Sequence, residues 1–160
     1  MKKCLFVLMA VSLVLSACTK VPHSKEFTWT DCASTKSGAD TKGLFGDNVT
    51  SRLILEYTSS GLAVTRTNAT LNCIYDKVGL ACEPTIEGNV LHYKVYIPSE
   101  EAANCVCLCE RMSSTVSGLE EGKEYVLEYS SPDAKLGKIS FKYKRGLRLS
   151  VDVDDYRVWD

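Results

Sequence analysis

Beyond residue 26, apolar and polar positions alternate with a period of two, in short runs rich in β-branched and aromatic residues and separated by Gly, Asn, Ser and Pro. Alternation of this kind marks strands with one face buried. Leu91, Tyr93, Val95 and Ile97 share one face, while His92, Lys94 and Tyr96 take the other. Glu87-Gly88-Asn89 turns the chain before this run, and Pro98, which has no N–H for a ladder, ends it. Ile139, Phe141 and Tyr143 alternate with Ser140, Lys142 and Lys144. Leu147, Leu149, Val151 and Val153 alternate with Arg148, Ser150, Asp152 and Asp154, so Lys144-Arg145-Gly146 is expected to join the two runs as a hairpin. Earlier runs cover 27–32, 52–58, 62–73 and 80–86. Ser59-Ser60-Gly61 turns the second into the third, and Pro84 confines the fourth to a sheet edge. Residues 33–48, rich in Ser, Thr, Gly, Asp and Lys, are expected to form a long surface loop. Strands this short and numerous cannot bury their apolar faces in one open sheet. An all-β fold follows, a β-sandwich over residues 27–160, with no helical stripe inside it.

Residues 116–125, Val-Ser-Gly-Leu-Glu-Glu-Gly-Lys-Glu-Tyr, lead from one strand through a Gly-containing corner into the next. This resembles the corner of immunoglobulin and fibronectin type III folds. The resemblance implies that Leu119 fills the core, Gly122 permits the tight path, and the Tyr125 hydroxyl returns to upstream backbone.

At the N-terminus the alternation gives way to a continuous apolar run. Lys2 and Lys3 precede it, Leu5 to Leu15 form it, and Leu15-Ser16-Ala17-Cys18 closes it. Residues 1–17 are therefore expected to be a lipoprotein signal peptide, Cys18 the acylated first residue of the mature chain, and 18–26 a polar tether that includes His23. The run is shorter than the roughly 18 to 20 residues that span a bilayer. An ordinary signal peptide cut elsewhere would leave Cys18 as an odd thiol near a chain end. Acyl chains, at about 0.8 kcal/mol per buried CH₂, hold a domain at a membrane without any apolar surface of its own. The expected location is the cell envelope, lipid-anchored at the outer membrane and facing either the periplasm or the exterior. Thr19 in place of an acidic residue points away from retention at the inner membrane.

Charge narrows the partners. The chain has 19 Lys plus Arg against 20 Asp plus Glu, and Lys2 and Lys3 leave with the signal. Nucleic acid is excluded as a partner, because phosphate binding needs clustered cations, and Lys142-Tyr143-Lys144-Arg145 reads as a hairpin tip.

Of the eight cysteines, Cys4 lies in the signal and Cys18 at the lipid site. Cys32, Cys73, Cys82, Cys105, Cys107 and Cys109 remain, and an even set in an exported chain implies disulfides. If 105–109 is a strand, its three sulfurs project from one face. Successive same-face Cα atoms then lie roughly 6.5 to 7 Å apart, at the limit of disulfide geometry. Each of Cys105, Cys107 and Cys109 is therefore expected to pair with one of Cys32, Cys73 and Cys82, every permutation being open; Cys73 with Cys109, and Cys82 with Cys105 or Cys107, is the preferred set. The alternatives for the cluster are thiolate binding of Zn²⁺ or Cu(I) and redox chemistry. Same-face strand thiols converge poorly on one ion, and the Cys-x-x-Cys turn at a helix N-terminus is not present. No cofactor and no metal site are expected.

Around this cluster the chain resembles a group of small lipoproteins from gut Bacteroidales, most of them of unknown function. The shared features are an early Cys, here Cys32; Gly61-Leu62-Ala63-Val64-Thr65 leading to Asn72-Cys73; Glu87-Gly88-Asn89; and Asn104-Cys105-Val106-Cys107-Leu108-Cys109 before the Gly-Leu and Gly-x-x-Tyr corner. Members often carry adjacent cysteines where this chain has Cys73-Ile74. They also carry Tyr-Asp where it has Arg111-Met112. The resemblance implies an immunoglobulin-like envelope lipoprotein and brings no activity or ligand with it.

The remaining candidates have plain readings. Asp152, Asp154, Asp155 and Asp160 could hold calcium, but alternation places Asp152 and Asp154 on a solvated strand face. Asn48-Val49-Thr50 and Asn68-Ala69-Thr70 match a glycosylation pattern that a bacterial chain does not use. His92 is expected on an exposed strand face with no acid or thiol partner. No Ser stands in a Gly-x-Ser-x-Gly elbow, and no pair of carboxylates is framed for glycoside hydrolysis. Trp29, Trp159, Tyr96 or Tyr156 could present a ring to a sugar. The chain is thus expected to be a non-enzymatic binding, adhesion or scaffolding module acting on an envelope protein or glycan. A thiol-dependent metal or redox protein built on Cys105, Cys107 and Cys109 is the alternative, and a glycan-binding module is the second.

Overall fold

The structure, a computed structural model, describes residues 24–30, 33–36, 50–156 and 158. The expected signal peptide, the lipidation site Cys18, Cys32, and the aromatic candidate Trp159 lie outside the described residues. Two sheets pack face to face. The first contains β1 (Ser24–Trp29), β2 (Ala33–Lys36), β3 (Arg52–Thr58), β4 (Gly61–Asn72), β7 (Cys105–Val116) and β11 (Arg148–Asp152). Its order is β1-β7-β4-β3-β11, and β2 also lies on β7. The second has the order β10-β8-β6-β5 and is built from β5 (Ala81–Glu87), β6 (Val90–Tyr96), β8 (Glu124–Ser131) and β10 (Ile139–Lys142), with the short β9 (Ala134–Lys135) on β8. Two single-turn helices, α1 (Tyr75–Val78) and α2 (Val153–Tyr156), complete the described elements.

The period-two pattern sets which faces meet. Leu53 and Leu55 of β3, Leu62, Val64 and Leu71 of β4, Leu91, Tyr93 and Val95 of β6, and Tyr125, Leu127 and Tyr129 of β8 are all buried between the sheets. Tyr93 and Tyr129 stack with centroids 5.6 Å apart at an interplanar angle of 14°. The corner between β7 and β8 closes as its tyrosine requires: the Glu120 N–H donates to the Tyr125 hydroxyl at 3.0 Å, while Gly122, at φ 89°, donates its own N–H to the Tyr143 carbonyl at 2.7 Å. Leu119 packs half-buried against the core. Pro84 sits on β5, the edge strand of the second sheet, where its missing donor costs no ladder bond.

Four details differ from the sequence-based expectation. β1 begins at Ser24, inside the span expected as tether, because its residues find a ladder along β7, with Ser24 opposite Val116. Within the expected loop 33–48, Ala33–Lys36 forms a strand along the same edge, opposite Cys105 to Leu108. The runs around 139–143 and 147–153 do not form a hairpin. β10 pairs with β8 and β11 pairs with β3, so the turn at Lys144 to Leu147 carries the chain from one sheet to the other. Finally, β6 and β8 are parallel, an arrangement that an all-antiparallel immunoglobulin sheet lacks; the chain visits the other sheet as β7 between them and returns in the same sense.

The long pair β4/β7 carries a kink that periodicity alone does not show. Leu62, Val64 and Arg66 point inward, then Ala69 and Leu71; on β7, Cys107 and Cys109 point inward, then Met112, Ser114 and Val116. Both strands skip one position at the same place, so the register is kept, with Thr67 opposite Arg111 and Ala69 opposite Cys109. Asn68, at φ 52° and with its amide donating to the Thr50 carbonyl at 2.8 Å, supplies the left-handed residue that this skip needs.

Beside the kink a charged pair is buried. Arg66 and Asp133, with side chains 1% and 7% exposed, meet at 3.0 Å. Arg66 also donates to the Thr67 carbonyl at 2.7 Å. The Asp133 carboxylate accepts from the Thr70 N–H at 3.1 Å and from the Ser131 hydroxyl at 2.6 Å. The pair joins β4 of the first sheet to the β8–β9 turn of the second. Asp133→Ala leaves a buried guanidinium without its counter-charge and Thr70 without its acceptor. It is expected to cost about 3–5 kcal/mol, against about 1–2 kcal/mol for Tyr125→Phe at the corner. Urea denaturation of the two variants checks both values.

Candidate functional site

Three places concentrate reactive or polar side chains, and the first holds the cysteines. Cys73 follows the last residue of β4 and Cys107 lies on β7; they form a disulfide with Cα atoms 5.5 Å apart, both buried. Cys109 is disulfide-bonded as well. Cys82 and Cys105 are free thiols, each half-buried. The preferred pairing is corrected accordingly: Cys73 joins Cys107 and not Cys109, and Cys82 joins neither Cys105 nor Cys107. The physical reason is distance along a strand. Cys82, on β5, hydrogen-bonds with Tyr93 and Ser114, and Ser114 lies roughly 30 Å from Cys105 along β7 at about 3.3 Å per residue. No rotamer closes such a gap, since disulfides need Cα atoms within about 7 Å. The alternation of Cys105, Cys107 and Cys109 told which face they share, but not which end of the opposite sheet Cys82 reaches.

The second place is the interior between β5, β6, β8 and β7. The Tyr93 and Ser114 hydroxyls meet at 2.7 Å, with Cys82 bonded to both. Burial pushes the Cys82 thiol up, partly opposed by these two hydrogen bonds. Burial also drives the Tyr93 and Tyr129 hydroxyls well above the usual tyrosine range, with the Arg66 charge acting in the opposite direction at Tyr129. A thiol kept protonated in this setting is a poor nucleophile and a poor metal ligand.

The third place is the solvent face of the second sheet. A hollow of about 420 Å³ lies over β6 and β8, lined among others by His92, Lys94, Glu128, Leu136, Lys138 and Val158. The parallel register sets His92 beside Glu128. His92 Nδ1 lies 3.0 Å from a Glu128 oxygen, Lys138 Nζ 3.4 Å from the other, and His92 Nε2 3.9 Å from Glu87. His92 therefore has acid partners, contrary to the sequence-based expectation. A strand face can be read from alternation, whereas the strand lying alongside it cannot. The Val158 N–H donates to the Lys135 carbonyl at 2.8 Å, so Val158 forms part of one wall. Chemically, this is a shallow surface with donors and acceptors fixed by strand pairing and with apolar ground from Leu136 and Val158.

No protein family, curated protein or solved structure matches the chain.

The other candidates fall into place around these three. Asp152 is bound to Arg52 at 3.0 Å, and among the described residues no group of three or more His, Cys, Asp or Glu side chains could hold a metal ion. Trp29 is 39% exposed on β1, tilted against Phe27 with centroids 5.9 Å apart. The Tyr96 hydroxyl donates to Glu83, and Lys94 lies over the Tyr96 ring at 5.1 Å from its centroid, so this ring face is already occupied.

Two consequences can be measured. Because Tyr93 and Tyr129 hold their protons more tightly when folded, their contribution is intact below the unfolded tyrosine pKa of about 10. It is lost as pH rises beyond that value, where the unfolded chain releases protons that the folded one keeps. Urea midpoints should be flat from pH 7 to about 8, begin to fall as the unfolded Cys82 thiol titrates at about 8.5, and fall further above about pH 9.5; a constant midpoint to pH 11 would contradict the burial of these groups. In the native state a small alkylating reagent should modify Cys105 well before Cys82, as read by peptide mass spectrometry, and urea should abolish the difference.

Proposed function

We propose that the protein is a lipid-anchored module of a bacterial cell envelope that works by binding, adhesion or scaffolding and not by catalysis. The observation that carries this reading is the hollow over β6 and β8. Its polar groups are held by sheet pairing and by one another, its floor is a well-packed core, and its mixed lining suits recognition of a polar partner such as an envelope protein or a glycan. The Lys2 to Cys18 segment supports lipid anchoring, and the outer membrane is the location we infer from Thr19.

Two experiments test the two halves of the reading. Cys18→Ala should abolish labelling by a fatty-acid precursor and move the protein from the membrane to the soluble fraction. Persistent membrane association would overturn the anchor. Soluble protein lacking the first 18 residues should show saturable retention on an array of polysaccharides and purified envelope proteins. His92→Ala combined with Lys138→Ala should weaken that retention at least tenfold at an unchanged urea midpoint. If Trp29→Ala abolishes retention and the double variant does not, the binding surface is the β1 edge and not the hollow.

A further inference from the structure

Cys73 has two cysteines within reach, not one. The β4/β7 ladder places Asn72 opposite Val106, so the next position sets Cys73 opposite Cys105, and the Cys73 N–H donates to the Cys105 carbonyl at 3.2 Å. The Cys73 N–H makes one of the two bonds that close a hydrogen-bonded antiparallel pair, in which Cα atoms stand about 5.5 Å apart, inside the range that disulfides occupy. Cys73 is nevertheless bonded to Cys107, and Cys105 carries a free thiol. The Asn72 side chain holds the arrangement: its amide donates to the Ala103 carbonyl at 2.8 Å and its oxygen accepts from the Ala103 N–H at 2.9 Å, fastening the approach to Cys105 against the end of β4. The same oxygen accepts from the Ile74 N–H at 3.0 Å and so fixes the chain on the far side of Cys73.

We propose that Cys73, Cys105 and Cys107 form a thiol–disulfide exchange site in which Cys73 is the shared partner. The Cys105 thiol gives up its proton to solvent, its thiolate attacks the Cys73 sulfur, a Cys73–Cys105 bond forms as the Cys73–Cys107 bond breaks, and Cys107 leaves as a thiolate that regains one proton. One disulfide and one thiol are present before and after, so no oxidant or reductant is consumed. Attack on the other sulfur is disfavoured by geometry. It would join Cys105 to Cys107, two positions apart on one strand, where Cα atoms stand roughly 6.5 to 7 Å apart. The exchange moves the free thiol between a half-buried position and one with no exposure, so it shows and hides a reactive group without unfolding the sandwich. Asn72 is a positioning residue here, since its side-chain bonds go to backbone groups on both flanks.

Peptide mapping after acid quenching and alkylation tests this in the exported full chain. Protein incubated at pH 8 should yield both Cys73–Cys107 and Cys73–Cys105 peptides, with alkyl label on Cys105 and Cys107 in reciprocal amounts; Cys105→Ser should remove the second peptide entirely. Cys107→Ala should give a Cys73–Cys105 bridge, and Asn72→Ala should slow the appearance of that peptide in the otherwise native chain several-fold without changing the free-thiol count. Wild-type protein that carries label on Cys105 and none on Cys107 after hours at pH 8 overturns the proposal, whatever the label on Cys82 and whether or not the Cys107 variant folds. A folded Cys107→Ala chain with Cys73 still reduced overturns it too.

Discussion

The buried Arg66–Asp133 pair is the constraint on which the two-sheet arrangement depends. A guanidinium almost out of contact with water is tolerated only if a carboxylate and further acceptors meet it, because desolvating an unpaired charge costs several kcal/mol. Asp133 meets it from the turn that ends β8. That turn must therefore lie over the kink in β4, and it can do so only if both strands skip a residue there. The kink, the left-handed Asn68, the Thr70 N–H on Asp133 and the Ser131 hydroxyl are parts of one arrangement. The pair need not add net stability over an apolar replacement. Its role is registry: sliding one sheet against the other by a residue would leave both charges unmet.

Much of this was legible in the chain. The inward positions of β6 and β10 follow directly from alternation, the corner from Leu119, Gly122 and Tyr125, and the edge position of β5 from Pro84. What alternation does not carry is pairing between strands distant in sequence. The Lys144 to Leu147 turn looks like a hairpin because short polar turns between alternating runs usually are, yet Tyr143 is held by Lys123 and Leu147 donates to Lys144, and the chain changes sheets. The parallel β6/β8 contact is equally silent in the sequence, and with it the meeting of His92 and Glu128. The kink was hidden for a different reason. Polar residues fill it on both strands, Thr67 and Asn68 on β4 and Glu110 and Arg111 on β7, and an arginine inside a strand reads as solvated until its acceptor is known.

The cysteines show the same limit more sharply. Their spacing gives a shared face and rules out pairing between immediate same-face neighbours, both of which are local properties of a strand. Pairing with Cys82 depends on where β5 lies along β7, which is a property of the whole fold. A frame stapled at every cysteine would have no thiol left to react. Among the described residues this one keeps two, in opposite circumstances: Cys82 is hydrogen-bonded between the sheets where burial holds its proton, and Cys105 stands half-buried at the start of β7.

That contrast separates the structural use of sulfur from the chemical one. Cys82 contributes as a small polar side chain in a hydrogen-bonded cluster with Tyr93 and Ser114, and its sulfur is spent on packing. Cys105 lies within a disulfide's reach of Cys73 because the β4/β7 ladder is continuous up to that point and Asn72 extends it by side-chain bonds where the backbone ladder stops. The Arg66–Asp133 pair and the sulfur cluster thus sit on the same two strands and are linked through them. The kink sets the facing of everything from Ala69 to the end of β4, and so decides that Cys73, Cys105 and Cys107 meet on the inner side of the sheet. A chain without the skip at Asn68 would turn that face outward and expose all three sulfurs to solvent.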